Sequence, residues 1–348
     1  MKRRVFLQSL PAFVTLLAAV RTEAKPKASA LGEVMTVRGR IRADDMGVTL
    51  THEHLLANFQ PYEEWEKQPR PYDRDEVAKV ALPHLARIRD LGCRTFVDAT
   101  AVGVGRDVRL LHRLSEESGL HILATTGNYA AAEYKFLPRY VYESSPEALA
   151  GRWIDEWTRG IDGTDIRPGF IKLGFNGRAL SDVEKTLIRA GAIAHRETGL
   201  TIGAHTGQAV AAFEELAILT SMGVHPSAWI WIHAQNEKDL GRHVEAAKQG
   251  AWISFDGIGP DSLDAHVGMV VNLRDHGLLG QALVSQDAGW YSVGQPNGGK
   301  FRPFDTVFTA FIPALRSRGF KQADIDTLMV SNPARAFSIG KRLQEANS

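Results

Sequence analysis

Four histidines and one aspartate stand where apolar runs of this chain end. His52 and His54 fall in LTHEH, His205 closes TIGAH, His233 closes IWIH, and Asp287 follows ALVSQ. Residues two apart on a strand point to the same side, so His52 and His54 can present both imidazoles to one ion. Imidazole and carboxylate together suit zinc and similar divalent metals. A single buried histidine is ordinarily a satisfied core residue, and a lone His-x-His says little. Packing does not readily explain five such groups at equivalent strand ends, and the pattern points to a metal site.

Lys172 is the other unusual residue, placed in the otherwise apolar run GFIKLGF. A buried ammonium is costly unless paired, and burial lowers a lysine's pKa. Two readings stay open. One is a strand-end lysine that pairs or reaches solvent. The other is a neutral amine that takes up carbon dioxide as a carbamate, whose two oxygens could bridge two cations as a carboxylate does.

These groups can meet only if the fold gathers strand ends. Eight short apolar runs read as buried strands: Gly47–Thr51, Arg94–Ala99, His121–Thr126, Gly169–Leu173, Thr201–Ala204, Trp229–Ile232, Ala251–Phe255 and Ala282–Ser285. Amphipathic stretches between them read as helices: Arg74–Asp90, Asp107–Ser118, Pro146–Arg159, Ser181–Thr198, Gln208–Met222 and Glu237–Gln249. Gly92, Gly119, Gly199, Gly223 and Gly250 follow five of these units where a helix-ending glycine belongs. Alternating strands and helices imply an α/β fold with a parallel sheet. Eight strands favour a closed TIM (β/α)₈ barrel, whose active sites lie at the C-terminal ends of the strands.

Length agrees, since such a barrel takes about 250 residues or more and the chain has 348. Apolar residues at 44% and charged residues at 23% exclude a disordered chain. A net charge of +1 gives no nucleic-acid footprint. The one cysteine, Cys93 in CRTFVDAT, rules out an intramolecular disulfide and reads as a buried structural thiol. No Gly-x-Gly-x-x-Gly follows an early strand, against dinucleotide binding, and no Gly-x-Ser-x-Gly elbow supports serine chemistry.

The N-terminus reads as an export signal over residues 1–30, ahead of one barrel domain over 31–348. Lys2, Arg3 and Arg4 precede an apolar stretch, Ala12 to Val20, too short to span a membrane. Paired arginines followed by Phe6-Leu7 are similar to a twin-arginine signal, and Ala28-Ser29-Ala30 offers a cleavage site. A periplasmic or secreted protein without a stable membrane anchor is the expectation.

From about Thr36 to Ser338 the chain resembles the phosphotriesterase family of the amidohydrolase superfamily. The motifs that carry the resemblance are THEH, FVDAT, GRDV, ATTGNY, FIKLG, AHTG, IHAQNE, FDGIG, SQDAGW and SNPARAF. The resemblance implies a barrel hydrolase with two divalent metals; zinc, manganese, cobalt and iron all suit the donors. It implies His52, His54 and Asp287 on the more buried ion and His205 and His233 on the more exposed one. It further implies that carboxylated Lys172 and a hydroxide bridge them, with Asp287 taking the nucleophile's proton. Tyr129 in TTGNY matches a tyrosine of the family's lactonase branch. The long loop after the last strand offers Trp290 and Arg302 as further substrate contacts, and a homodimer is possible, C₂ dimers being common.

Two positions depart from the family. Where its phosphotriesterases relay the proton through an acidic residue and a histidine, this chain has Asn236 and Gly257. Asp256 is retained and Glu237 is adjacent. Lactone or carboxylic-ester hydrolysis is therefore the leading expectation and phosphotriester hydrolysis the alternative, with a non-catalytic metal-stabilised binding protein as a third.

Overall fold

Runs of β-branched and aromatic residues that must be covered on both faces form the central strands, and amphipathic segments supply the cover. The computed structural model describes residues 31–344, so the expected export signal lies outside the described residues. An antiparallel hairpin, β1 (Glu33–Thr36) and β2 (Gly39–Arg42), comes first. The barrel strands follow: β3 (Thr49–Ala57), β4 (Thr95–Asp98), β5 (His121–Leu123) with β6 (Thr125–Thr126), β7 (Phe170–Gly174), β8 (Ile202–His205), β9 (Trp229–Ile232), β10 (Trp252–Phe255) and β11 (Ala282–Val284). All eight expected runs are strands, and their pairings are parallel.

The eight strands surround one apolar interior, but the hydrogen-bonded ladder has two seams. It runs β11-β10-β9-β8-β7-β6 and, separately, β12-β3-β4-β5, where β12 is Gly289–Ser292. The first seam is a single residue, Ala124, which divides the expected strand His121–Thr126. The second lies between β11 and β3, where side chains replace the ladder. Thr51 Oγ1 donates to Val284 O at 3.2 Å, and His52 N donates to Ser285 Oγ at 3.0 Å. The loop expected after the last barrel strand thus opens with an extra strand, β12, which pairs in parallel with β3 in the register Gly289 to His54.

Six helices lie where periodicity places them: Arg74–Asp90, Val108–Ser118, Pro146–Arg159, Asp182–Thr198, Ala209–Ser221 and Leu240–Lys248. Five of the six starts follow from capping side chains that satisfy free N–H groups. Asp73, Asp107, Ser145, Ser181 and Asp239 all accept from first-turn amides. A further helix, Leu263–Asp275, follows β10. Cys93 is fully buried, as expected. Among the described residues no helix is long and apolar enough to cross a membrane.

Candidate metal centre

β3 does more than its expected five residues. It runs to Ala57 with every residue buried, so His52 and His54 lie within the strand and not past its end. A register shift against β4 between Leu50 and Glu53 marks a bulge, a device that re-aims side chains beside sites. The two imidazoles then face one another, with Nε2 atoms 3.2 Å apart. Asp287 Oδ1 lies 3.0 Å from His54 Nε2 and 3.5 Å from His52 Nε2. These three side chains bring their donor atoms within 4.8 Å of one another.

That arrangement fits a cation. Facing lone pairs of two neutral imidazoles repel unless a proton or a metal lies between them. The buried His52 Nδ1 has no hydrogen-bond partner in the protein. Burial pushes His52 down to about 4, against the charge of Asp256, so at neutral pH the ring is neutral and one of its nitrogens offers a lone pair. Burial alone would raise Asp287, yet hydrogen bonds to His52 and His54 hold it well below the usual carboxylate range.

His205 and His233 stand beside this trio, with ring centroids 4.3 Å apart, and His233 is 4.9 Å from His52. Asp256 orients His233 from behind: its Oδ1 accepts from Nδ1 at 2.6 Å and its Oδ2 from the backbone N at 3.1 Å. The imidazole is left with Nε2 to offer, as a second-sphere carboxylate does for a metal-binding histidine. Thr100 does the same for His54, bonding Nδ1 at 2.8 Å. Against the effect of burial, Asp256 raises His233 above its ordinary range. His205, buried beside His233 and Lys172, is lowered well below it.

Lys172 is 2% exposed and its amine is pushed down to about 8, chiefly by burial. Its Nζ sits 5.4 Å from the centroid of the Tyr129 ring, and no described carboxylate forms a salt bridge with it. Tyr129 brings its hydroxyl to 3.2 Å from His205 Nδ1. Gly174 makes room for that ring, since a Cβ there would lie 2.3 Å from a ring carbon. Trp290 stacks on His54 at 3.8 Å between centroids and closes one side of the mouth.

One cavity of about 170 Å³ collects His52, His54, Lys172, His205, His233, Asp287, Tyr129 and Trp290. Its outer wall is apolar, built by Phe59, Ala101, Val104 and Phe136. Arg302, expected as a substrate contact, does not line this cavity. Its guanidinium donates to Asp287 O at 2.7 Å and Gln286 O at 3.2 Å, which leaves it fixing backbone behind the site.

The two departures are also explained locally. Asn236 is exposed and lines a neighbouring groove with Gln208 and Lys238. A Cβ on Gly257 would lie 2.7 Å from Gln235 Nε2, and that nitrogen donates to Asp256 Oδ1 at 3.0 Å. Gln235 therefore occupies the space a side chain at 257 would need. Glu237 is spent on the start of the preceding helix, Ala209–Ser221, accepting from Ala209 N at 3.0 Å.

The site's backbone is strained. His233, Asp287 and Trp290 take φ of 62°, 50° and 71°, left-handed conformations that cost such residues about 1–3 kcal/mol each. Sequence reasoning missed Glu53, Thr100 and Gln235. Glu53 alone left a signal, a carboxylate inside the apolar run LTHEHLL.

A barrel that aims histidine and carboxylate donors into one cavity at the C-terminal ends of its strands defines a metal-dependent hydrolase. The chain belongs to the phosphotriesterase family, whose model matches residues 32–337. It is 32% identical to a phosphotriesterase homology protein of Escherichia coli (strain K12), over 84% of this chain and 99% of the relative. It is 30% identical to an aryldialkylphosphatase of Saccharolobus solfataricus, over 86% of this chain and 97% of the relative. The solved structure of a lactonase from Listeria monocytogenes superposes with a TM-score of 0.76 at 26% identity, covering 89% of this chain and all of that one, 100%. The chain is accordingly a metal-dependent hydrolase.

Proposed function

We propose that this enzyme hydrolyses lactones or related carboxylic esters. The observation that carries the preference is the Tyr129 hydroxyl, held at the cavity edge 3.2 Å from His205. There a phenol can donate to the ring or leaving oxygen of an ester, and burial keeps it protonated by pushing its pKa up. The apolar wall of Phe59, Val104 and Phe136 suits an uncharged acyl group.

His52, His54 and Asp287 are proposed to hold the more buried of two divalent ions, and His205 and His233 the other. Zinc is the first choice for these nitrogen and oxygen donors, with manganese, cobalt and iron as alternatives. Lys172, with its lowered amine and no carboxylate partner, is the proposed carbamate bridge. When bound, the pair of cations supplies an activated water and stabilises charge on the attacked group. Asp287, which faces the cavity with Oδ1 3.0 Å from His54 Nε2, would be the group that accepts a proton there. Asp256 and Thr100 keep His233 and His54 in the required tautomers, and Trp290 and the apolar wall exclude bulk water.

The test is hydrolysis by metal-loaded protein across lactones and aryl phosphotriesters, followed by pH indicator with and without a chelator. Chelator-sensitive lactone turnover well above triester turnover is expected. Faster triester turnover would overturn the preference and show that Asn236 and Gly257 do not obstruct proton removal. Residues 1–30 are further proposed to export the folded enzyme to the periplasm, and retention of the full chain in the cytosol on fractionation would refute that.

A further inference from the structure

Glu53 stands between His52 and His54 on β3 but faces the other way, as neighbours on a strand must. Its carboxylate meets the connector 285–288, from which Asp287 projects. Oε1 accepts from Ser285 Oγ at 2.7 Å, Gln286 N at 3.0 Å and Gln286 Nε2 at 3.4 Å. Oε2 accepts from Ala288 N at 2.8 Å. The amides on either side of Asp287 thus share one carboxylate. The backbone of the flanking histidines completes the join: Asp287 N donates to His52 O at 3.1 Å, and His54 N to Ala288 O at 3.0 Å.

This is the seam where β11 and β3 do not pair. The connector crosses it with Asp287 in a left-handed conformation, φ 50°, which is strained for a residue other than glycine. We propose that Glu53 is a positioning residue. By clamping both peptide flanks of Asp287 to the strand that carries His52 and His54, it sets the aim of the Asp287 carboxylate at those two nitrogens. Closure of the barrel and assembly of the three donors are then one structural event. Every partner of Glu53 is a donor, so a carboxylate satisfies all of them. A glutamine would offer one oxygen and turn an NH₂ against the amide of Gln286 or Ala288. An apolar residue would leave both amides buried and unpaired.

The inference rests on the hydrolase reading only in taking Asp287 as the carboxylate of the site. Cobalt(II) serves as the probe, titrated into metal-free full-length Glu53→Gln and followed by its visible absorption, with circular dichroism to check the fold. Changing a group behind a metal ligand commonly costs about 10–100-fold in metal affinity or activity. A loss of that size is expected for the first cobalt, with a changed visible band. On the metal-loaded enzyme a matching fall in kcat with little change in KM is expected. Glu53→Asp, which keeps the charge and shortens the reach, should fall between wild type and Glu53→Gln. In an Asp287→Asn background Glu53→Gln should add little, because its route runs through Asp287.

Wild-type cobalt affinity, spectrum and kcat with only a lowered Tm would make Glu53 a fold residue and overturn the proposal, as would losses that multiply with Asp287→Asn. If Glu53→Gln does not fold, Ser285→Ala removes one donor to Oε1 and should weaken cobalt binding in the same direction; unchanged binding there would also overturn it. The cobalt readouts need no substrate. Inactivity toward every lactone would therefore sink the functional reading and leave this one standing.

Discussion

Buried histidines occupy both ends of the barrel, and the two ends treat them differently. At the floor, where strands begin, His195 is fully buried. Its Nδ1 donates to Leu200 O at 2.8 Å and its Nε2 accepts from Arg342 N at 2.9 Å. One neutral tautomer satisfies the whole ring. At the mouth, His52 and His54 turn Nε2 toward Nε2 at 3.2 Å, and the two neutral rings cannot both donate from Nε2 to Asp287 without setting one N–H against the other. Burial of a polar group does not distinguish the ends. What distinguishes the mouth is that lone pairs converge with nothing of the protein between them. Matched burial makes fold, and unmatched burial makes a ligand site.

The largest way to sharpen this contrast is Asp287→Asn. The change keeps the volume and removes both the anionic donor and the proton acceptor. General acid–base catalysis contributes about 10²–10⁴-fold, so kcat on a lactone should fall by at least about 10²-fold while circular dichroism stays as in wild type. Activity within a few-fold of wild type would break the assignment of the mouth as a reaction site.

The floor should give the opposite signature. His195→Ala leaves Leu200 O and Arg342 N without their partner and opens a cavity, together costing about 2–4 kcal/mol of stability. Urea unfolding should show the lower midpoint, and kcat per folded molecule should be unchanged. A fall in kcat at saturating metal would mean that the two ends are coupled.

The eight strands and six of the helices were legible because short apolar runs and period-3.6 stretches survive in the sequence. The boundaries were less so. β3 reaches Ala57 because the bulge and its pairing with Gly289–Ser292 carry the strand past His54, and that partner was read as loop. The polar clusters of the site were legible as residue types at strand ends. Their support was not: Thr100 behind His54, Gln235 in the space at Gly257 and Glu53 across the seam all depend on contacts between distant segments, which no local pattern records. Arg302's bonds to backbone were hidden for the same reason. A loop arginine looks available to substrate until its carbonyl partners, Gln286 and Asp287, are seen.

A pH dependence probes the mouth at a smaller scale. His52 is pushed from 6.5 to about 4 by burial, so the unfolded chain takes up its proton first. Above about pH 6.5 both states are neutral and nothing is lost. As pH falls from there toward 4, the metal-free protein should lose stability, by at most on the order of 3 kcal/mol from this group. Urea titrations of metal-free protein at several pH values would check it, with His52→Asn giving the shallower decline. An identical slope in the variant would assign the effect elsewhere.

The smallest expected effect tests the substrate and not the metal. Tyr129→Phe keeps the ring that Gly174 accommodates and deletes only the hydroxyl near His205, so fold and metal content should be unchanged. A hydrogen bond of this kind is worth about 0.5–1.5 kcal/mol, which corresponds to a loss of roughly 2–12-fold in kcat/KM. The loss should fall on lactones, whose ring or leaving oxygen the phenol would contact, and spare aryl phosphotriesters, whose phenolate leaving groups need less help. The measurement is the ratio of the two kcat/KM values in wild type and variant. A lowered ratio makes Tyr129 a substrate contact. An unchanged ratio with both rates reduced means that the hydroxyl acts through His205, and the mouth then owes its lactone preference to the apolar wall of Phe59, Val104 and Phe136.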